Sequence, residues 1–454
     1  MAEGSFRRDA VQAFRFVRYG LEPATGEIGL VYAFDDGPEL VERLVVPGAP
    51  FAAEAAGGVA VDRALRLLHL IAGVSYYKAA VPPRIEVADG PLDAPTAALL
   101  TMIYENGLAE FAYRNGLDLH GRIRFPHDAR APAPVTVPGT GDRALVAIGG
   151  GKDSLVSIEA LRAAGVGQTV AWIGGSQLIA ACAARTGLPS LNVSRALAPE
   201  LFEYNRQGAW NGHIPVTAIN SAVLVVTALL TGHGQVVFSN ERSASYGSTI
   251  AGTGEVNHQW SKGWEFEHAF GGYLHEHVTG DLAYYSLLRP LSELGVARRF
   301  AAIDGYDAHF SSCNRNFHIL GERPASRWCG QCPKCRFVFL ALAPFMPKPR
   351  LLAIFGRNLL DDPAQAPGYD ALMEFRDHKP FECVGEARES RAAFATLAAR
   401  PEWREDALVQ RFAREIAPQV DAGDLALQPL LEPDRIHRIP GTVLERLGED
   451  FRAR

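Results

Sequence analysis

The stretch Ala144–Leu161, ALVAIGGGKDSLVSIEAL, decides the fold. The apolar residues from Ala144 to Ile148 read as a buried strand, three glycines break it, and a helical pattern follows. Asp153 and Ser154 are good capping residues, so a helix is expected to begin near Ser154. Gly149, Gly150 and Gly151 permit positive φ and close approach of the backbone, leaving amide groups free at the positive end of that helix, where a phosphate binds well. Lys152 adds positive charge if its side chain turns inward. Asp153 offers a carboxylate to magnesium, and Ser154 a hydroxyl hydrogen bond. A plain strand-to-helix turn would use similar residues, but three successive glycines are costly without a ligand.

Downstream of this stretch the pattern alternates. Strands are predicted at Thr169–Ile173, Ser190–Val193 and Gln235–Ser239, with helices from Gln177 and Pro215 between them, the order expected of a parallel sheet with crossover helices. Upstream, Ala13–Val46 reads as an antiparallel meander of three strands, followed by helical patterns over Val61–Tyr77 and Pro95–Asn115. The segment 126–143 is rich in Pro, Ala, Gly and Thr and reads as a linker. Beyond Pro344 come Pro-interrupted helical stretches, including Arg388–Leu397 and Trp403–Ile416. The expectation is an α/β protein with a Rossmann-like parallel sheet, divided into an N-terminal α+β domain (1–135), a nucleotide-binding domain (144–345) and a helical C-terminal extension (346–454).

Composition narrows the function. With 45 basic against 51 acidic residues in 454, the formal charge is −6, which disfavours a nucleic-acid partner. The longest apolar stretch, Ala218–Leu230, contains Asn220, Ser221 and Thr227 and falls short of the roughly 20 residues a membrane span needs. Arg7, Arg8, Asp9 and Arg15 stand where a secretory signal needs an apolar run, so a cytoplasmic location is expected.

Four of the six cysteines, Cys313, Cys329, Cys332 and Cys335, form C-x15-C-x2-C-x2-C. The Gly330 turn and Pro333 bend the backbone so that three thiolates can converge, and four sulfurs suit a closed tetrahedral zinc site. An iron–sulfur cluster is the rival, and unligated core cysteines are the third possibility. Cys182 and Cys383 stand alone and are expected to be packing residues.

The predicted strand ending at Ser239 runs into a polar segment, NERSASYGSTIAGTGEVNHQWSKGWEFEHAF, at the carboxyl edge of the sheet, where open α/β sheets bind ligands. Asn240, Glu241, Arg242, Ser243 and Ser245 are candidates to orient a polyanionic substrate. Glu255, His258 and Lys262 are candidates for proton transfer. A solvated loop is the alternative. Asn205, Arg206, Trp210, Asn211 and His213 form a second polar cluster facing the same edge, whereas His268, His275 and His277 read as structural or exposed.

The loop GGGKDS (149–154) resembles the SGGxDS loop of the PP-loop ATP pyrophosphatases, which split ATP between the α and β phosphates. Gly149 departs from that pattern, which has serine. YYSLLRPLSELG (284–295) looks like the late strand and RPL turn of such enzymes. Together with SNERSAS (239–245), NHQWSKGWEFE (257–267) and SCNRNF through WCGQCPKC (312–335), the loop resembles the MurL family, UDP-N-acetylmuramoyl-L-alanyl-L-glutamate epimerases of bacterial cell-wall synthesis. The resemblance implies magnesium- and ATP-dependent inversion of the terminal L-Glu of UDP-MurNAc-L-Ala-L-Glu, with release of AMP and diphosphate. On that reading His258, with Glu255 or Lys262, moves the proton at Cα, and Arg242 holds a carboxylate or phosphate. The alternatives are a PP-loop ligase resembling 7-cyano-7-deazaguanine synthase, in which a similar cysteine set binds zinc, and a non-catalytic adenine-nucleotide sensor.

Overall fold

The computed structural model describes residues 6–137, 140–250, 254–316 and 324–452. Parts of two motifs, Ala251–Thr253 in the polar segment and Phe317 in SCNRNF, lie outside them. Nine strands form the main sheet: β1 (Ala13–Glu22), β2 (Glu27–Phe34), β3 (Leu40–Val45), β4 (Arg84–Val87), β5 (Gly141–Ala147), β6 (Gln168–Ile173), β7 (Ser190–Ala196), β8 (His233–Phe238) and β9 (Ala283–Ser286). Their order is β9-β8-β5-β6-β7-β3-β2-β1-β4. The first five pair in parallel. In that parallel half the chain order runs outward from β5 to β6 and β7 on one side and to β8 and β9 on the other. The crevice between the carboxyl ends of β5 and β8, where the winding reverses, is the usual ligand site of such a sheet.

The meander is not a separate sheet. β3 pairs antiparallel with β7 (Leu44 with Arg195, Val45 with Ser194), so the N-terminal third extends the parallel sheet edge to edge. Alternation along β3 turns Leu40, Glu42 and Leu44 to the same buried side. Glu42 is tolerated there because Arg195 Nε donates to it at 2.7 Å, an ion pair at the seam between the two halves. The segment read as a linker contributes a short strand, His127–Ala129, and the first residues of β5.

Period-two alternation in the parallel strands splits the apolar residues between two cores. Leu145, Ala171, Val193 and Val236 face one core, covered by the helices Val59–Ala72, Ala94–Gly107 and Val216–Thr231. Ala144, Val146, Val170 and Val237 face the other, shared by Lys152–Ala163, Glu293–Ala301, Pro333–Leu342 and the C-terminal helices Ala387–Ala398 and Ala407–Arg411. The apolar Val216–Thr231 helix is buried around nearly its whole circumference because it lies between the sheet and Val59–Ala72. Among the described residues no helix is long and apolar enough to cross a membrane. The C-terminal helices are not an appendage: they complete the second core.

Candidate active site

A cavity of about 640 Å³ opens at the crevice between β5 and β8. Its floor is the glycine loop. The helix begins at Lys152, two residues before the sequence suggests, with Gly151 as N-cap. Gly150 has φ +76°, a conformation glycine adopts without steric cost. Gly151 is hemmed in: a Cβ there would lie 2.7 Å from Ser312 Oγ. Gly149 meets nothing within 4 Å, so its departure from serine has no steric cause. Ser154 Oγ donates to Gly151 O at 3.1 Å and accepts from Gly149 N at 3.4 Å, which fixes the loop's shape.

Lys152 does not face the cavity. Its ammonium is fully buried and bonds the carboxylates of Asp153 and Glu293. Lys334, at the start of Pro333–Leu342, lines the cavity, with its Nζ 3.5 Å from Glu293. Burial disfavours a charge on Glu293, but Lys152 and Lys334 prevail and hold it well below the usual carboxylate range. Glu241 stays under-compensated: burial, then Glu293 and Asp153, push it well above that range. Carboxylate oxygens of Asp153, Glu241 and Glu293 lie within 4.8 Å of one another. A hard cation beside Asp153 and Glu241 would relieve the repulsion, so these residues fit magnesium.

Of the residues expected to hold substrate, Asn240 lines the cavity and donates to Ser286 Oγ at 3.1 Å. Ser243 is buried beneath it and accepts from Glu293 N. Arg242 points away, its guanidinium on the carbonyls of Leu430 and Glu432 at 2.9 and 2.7 Å. Glu255 sits in a short hairpin, accepting from Gly247 N at 2.9 Å, and is not part of the cavity wall. From the second polar cluster His213 reaches the cavity; Trp210 stacks under Arg8, and Asn211 accepts from Lys78.

His258 and Lys262 line the polar end of the cavity, joined by a residue the sequence marks only as packing, Cys383. Lys262 Nζ donates to Cys383 Sγ at 3.2 Å, and His258 lines the same end of the cavity near enough for the thiol to act on its charge. His258 Nδ1 faces Glu110, from the helix Ala109–Asn115. Burial raises the Cys383 thiol, but Lys262 and His258 outweigh it and bring it down to about 5. Burial opposes the charged form of His258, yet Cys383 and Glu110 lift it to about 9. His213, with its ring 4.3 Å from that of His258, is pushed down to about 4 by burial and its charged neighbour. The result is a line of alternating charge, Glu110, His258, Cys383 and Lys262. Nothing local in the sequence signals Cys383 or Glu110, because the loop that carries the first and the helix that carries the second meet only through tertiary packing.

Arg289 of the RPL turn holds this end together. Its buried guanidinium binds the Glu267 carboxylate at 2.8 and 2.9 Å, Glu241 O at 2.7 Å and Lys262 O at 2.6 Å.

The four clustered cysteines lie beside the cavity with all sulfurs within 4.8 Å of one another, and Cys329 and Cys335 3.8 Å apart. Four sulfurs at about 2.3 Å from one tetrahedral ion are about 3.8 Å apart. The spacing therefore suits a single ion rather than a multi-iron cluster. Amides of Gln331, Cys332 and Cys335 donate to the sulfurs, as thiolate ligands require.

A parallel sheet with a glycine loop and helix N-terminus at its winding reversal, facing a cavity lined by ionisable side chains, defines an α/β protein whose cavity geometry suits an anionic ligand. A family model described as the MurL N-terminal domain matches residues 5–287, and one described as the MurL C-terminal domain matches 309–442. The chain belongs to the MurL family. It is 69% identical to a Xanthomonas oryzae pv. oryzae protein over 98% of this chain and 99% of that one. It is 47% identical to a Salinispora tropica protein over 88% of each, and 45% identical to a Micromonospora protein over 97% and 98%. All three relatives are named UDP-N-acetyl-alpha-D-muramoyl-L-alanyl-L-glutamate epimerase.

Proposed function

We propose that this chain inverts the terminal L-glutamate of UDP-MurNAc-L-Ala-L-Glu in an ATP-dependent reaction. The observation that carries this reading is one cavity with two chemically different ends: the glycine loop at one, His258 and Lys262 at the other. The apolar wall of Ala171, Trp172 and Ile173 suits an adenine face, and the loop amides suit its phosphates. Asp153 and Glu241 would hold magnesium, which neutralises phosphate charge. Zinc would sit on Cys313, Cys329, Cys332 and Cys335 in a structural role.

Removing the proton from Cα beside a free carboxylate would concentrate two negative charges. When a carboxylate oxygen attacks the α-phosphorus and diphosphate leaves, the acyl-adenylate carbonyl can accept the electron pair from Cα–H. The proton at Cα is then moved at the end of the cavity lined by His258 and Lys262, and water cleaves the adenylate to AMP and the D-glutamyl product. The test is the purified protein with ATP, magnesium and UDP-MurNAc-L-Ala-L-Glu, followed by AMP measurement and chiral analysis. Equimolar AMP and D-glutamyl product are expected. AMP with full retention of the L configuration would favour the ligase alternative, and binding of ATP without turnover the sensor.

A further inference from the structure

Epimerisation needs two groups at Cα in opposite protonation states, one to take a proton and one to return it on the other face. Most polar residues of the cavity cannot serve. Asn240 and the serines do not ionise near neutrality, Lys334 is paired with Glu293, and His213 is held neutral by burial. Cys383 and His258 both line the proton-active end, where Lys262 Nζ donates to the sulfur at 3.2 Å and Glu110 faces the imidazole, and they arrive from segments more than a hundred residues apart. Lys262 and Lys334 supply positive charge around the sulfur, Glu382 and Glu110 negative charge, and the balance favours a thiolate beside an imidazolium.

We propose that Cys383 is a catalytic residue: its thiolate takes the Cα proton in the L-to-D direction, and His258 returns one on the opposite face. The inference rests on the epimerase reading above. A Cα inserted between the two side chains meets a base on one side and an acid on the other. The electron pair of the Cα–H bond moves into the adenylate carbonyl as Sγ takes the proton, and the enolate then takes a proton from His258. This leaves a thiol and a neutral imidazole. When product departs, the end of the cavity the two side chains share is free again, and the thiol proton passes to the imidazole. The starting state is restored without a further co-reactant. Glu110 and Lys262 are positioning residues, one stabilising the imidazolium and the other the thiolate.

The experiment compares wild type, Cys383→Ala and Cys383→Ser in heavy water with ATP and the L-glutamyl substrate, following diphosphate, AMP, deuterium at Cα and chirality. Expected are continued diphosphate release by both variants and a roughly 10²- to 10⁴-fold loss of inversion and deuterium uptake. Serine should do no better than alanine, because its hydroxyl stays protonated. Wild-type inversion rates in either variant would overturn the proposal, since a packing role is one serine can fill. A denatured protein carrying substrate as a hydroxylamine-sensitive thioester would also overturn it, assigning Cys383 as a nucleophile. Should both variants fail to fold, alkylation of wild type decides. Rapid iodoacetamide labelling of Cys383 at pH 6, blocked by ATP plus substrate, is expected; an unreactive thiol at that pH overturns the proposal. Failure of wild type itself to invert would instead refute the epimerase reading.

Discussion

Gly151 shows how closely the loop is fitted to its surroundings. Ser311 N donates to Gly150 O at 2.9 Å, which lays the 311–312 segment directly over the glycines. A side chain at 151 would push Ser312 away and move the amides aimed at the ligand. Misplacement of about 1 Å in a reacting geometry costs roughly 100-fold in rate. Gly151→Val is therefore expected to lower ATP-dependent diphosphate release by about that factor while the thermal transition shows the protein still folded. Release at the wild-type rate would mean that the loop amides do not hold the phosphates. The residue scale is also where sequence reading reaches furthest and fails most sharply. Local chemistry marks the glycines, Asp153, His258 and Lys262, and the fold does bring Gly149, Gly151, Asp153, His258 and Lys262 to one cavity. Lys152 was legible as a charge but not as one buried against Glu293. Cys383 was invisible, since a lone thiol takes its character entirely from neighbours brought in by the fold.

At the scale of elements, the parallel strands and crossover helices could be read from periodicity, because each buries its own face. The seam between β3 and β7 could not, because edge pairing between segments about 150 residues apart leaves no local pattern. The same holds for a domain boundary drawn at a Pro-rich stretch that the sheet in fact bridges. The cysteine segment is the reverse case, legible by spacing alone. Among its described residues, 313–316 and 324–332 carry only the single turn Asn314–Asn316, so a bound ion would organise what backbone hydrogen bonds do not. The purified protein is expected to carry about one zinc per chain by elemental analysis. Chelation should lower the melting temperature and slow diphosphate release, because Ser311 and Ser312, just before the first ligand, and Lys334, between the last two, line the cavity. Iron in place of zinc, or full stability without metal, would refute this assignment.

At the scale of the molecule, the cavity explains why the N-terminal third and the C-terminal helices belong to one chain. Glu110 comes from the first, His258 and Lys262 from the middle and Cys383 from the last. Glu110→Gln keeps a hydrogen-bond acceptor beside His258 and removes its charge. In the native protein the raised His258 contributes stability that is fully present below its ordinary value of 6.5 and lost as pH rises through about 9. Cys383, lowered from 9.0 to about 5, contributes stability that is fully present above 9 and lost as pH falls through about 5. The two slopes oppose each other between 6.5 and about 9, so denaturation is a poor readout there and the pH profile of inversion is a good one. Inversion needs the thiolate and the imidazolium together, so kcat/KM is expected to be bell-shaped, with limbs near pH 5 and 9 belonging to the coupled pair. Without the Glu110 charge the imidazolium loses one of its two supports, and the alkaline limb should move towards neutrality. Diphosphate release, which depends on the other end of the cavity, should keep its own pH dependence. An alkaline limb that stays in place in Glu110→Gln would show that the N-terminal third does not set the proton chemistry of the site.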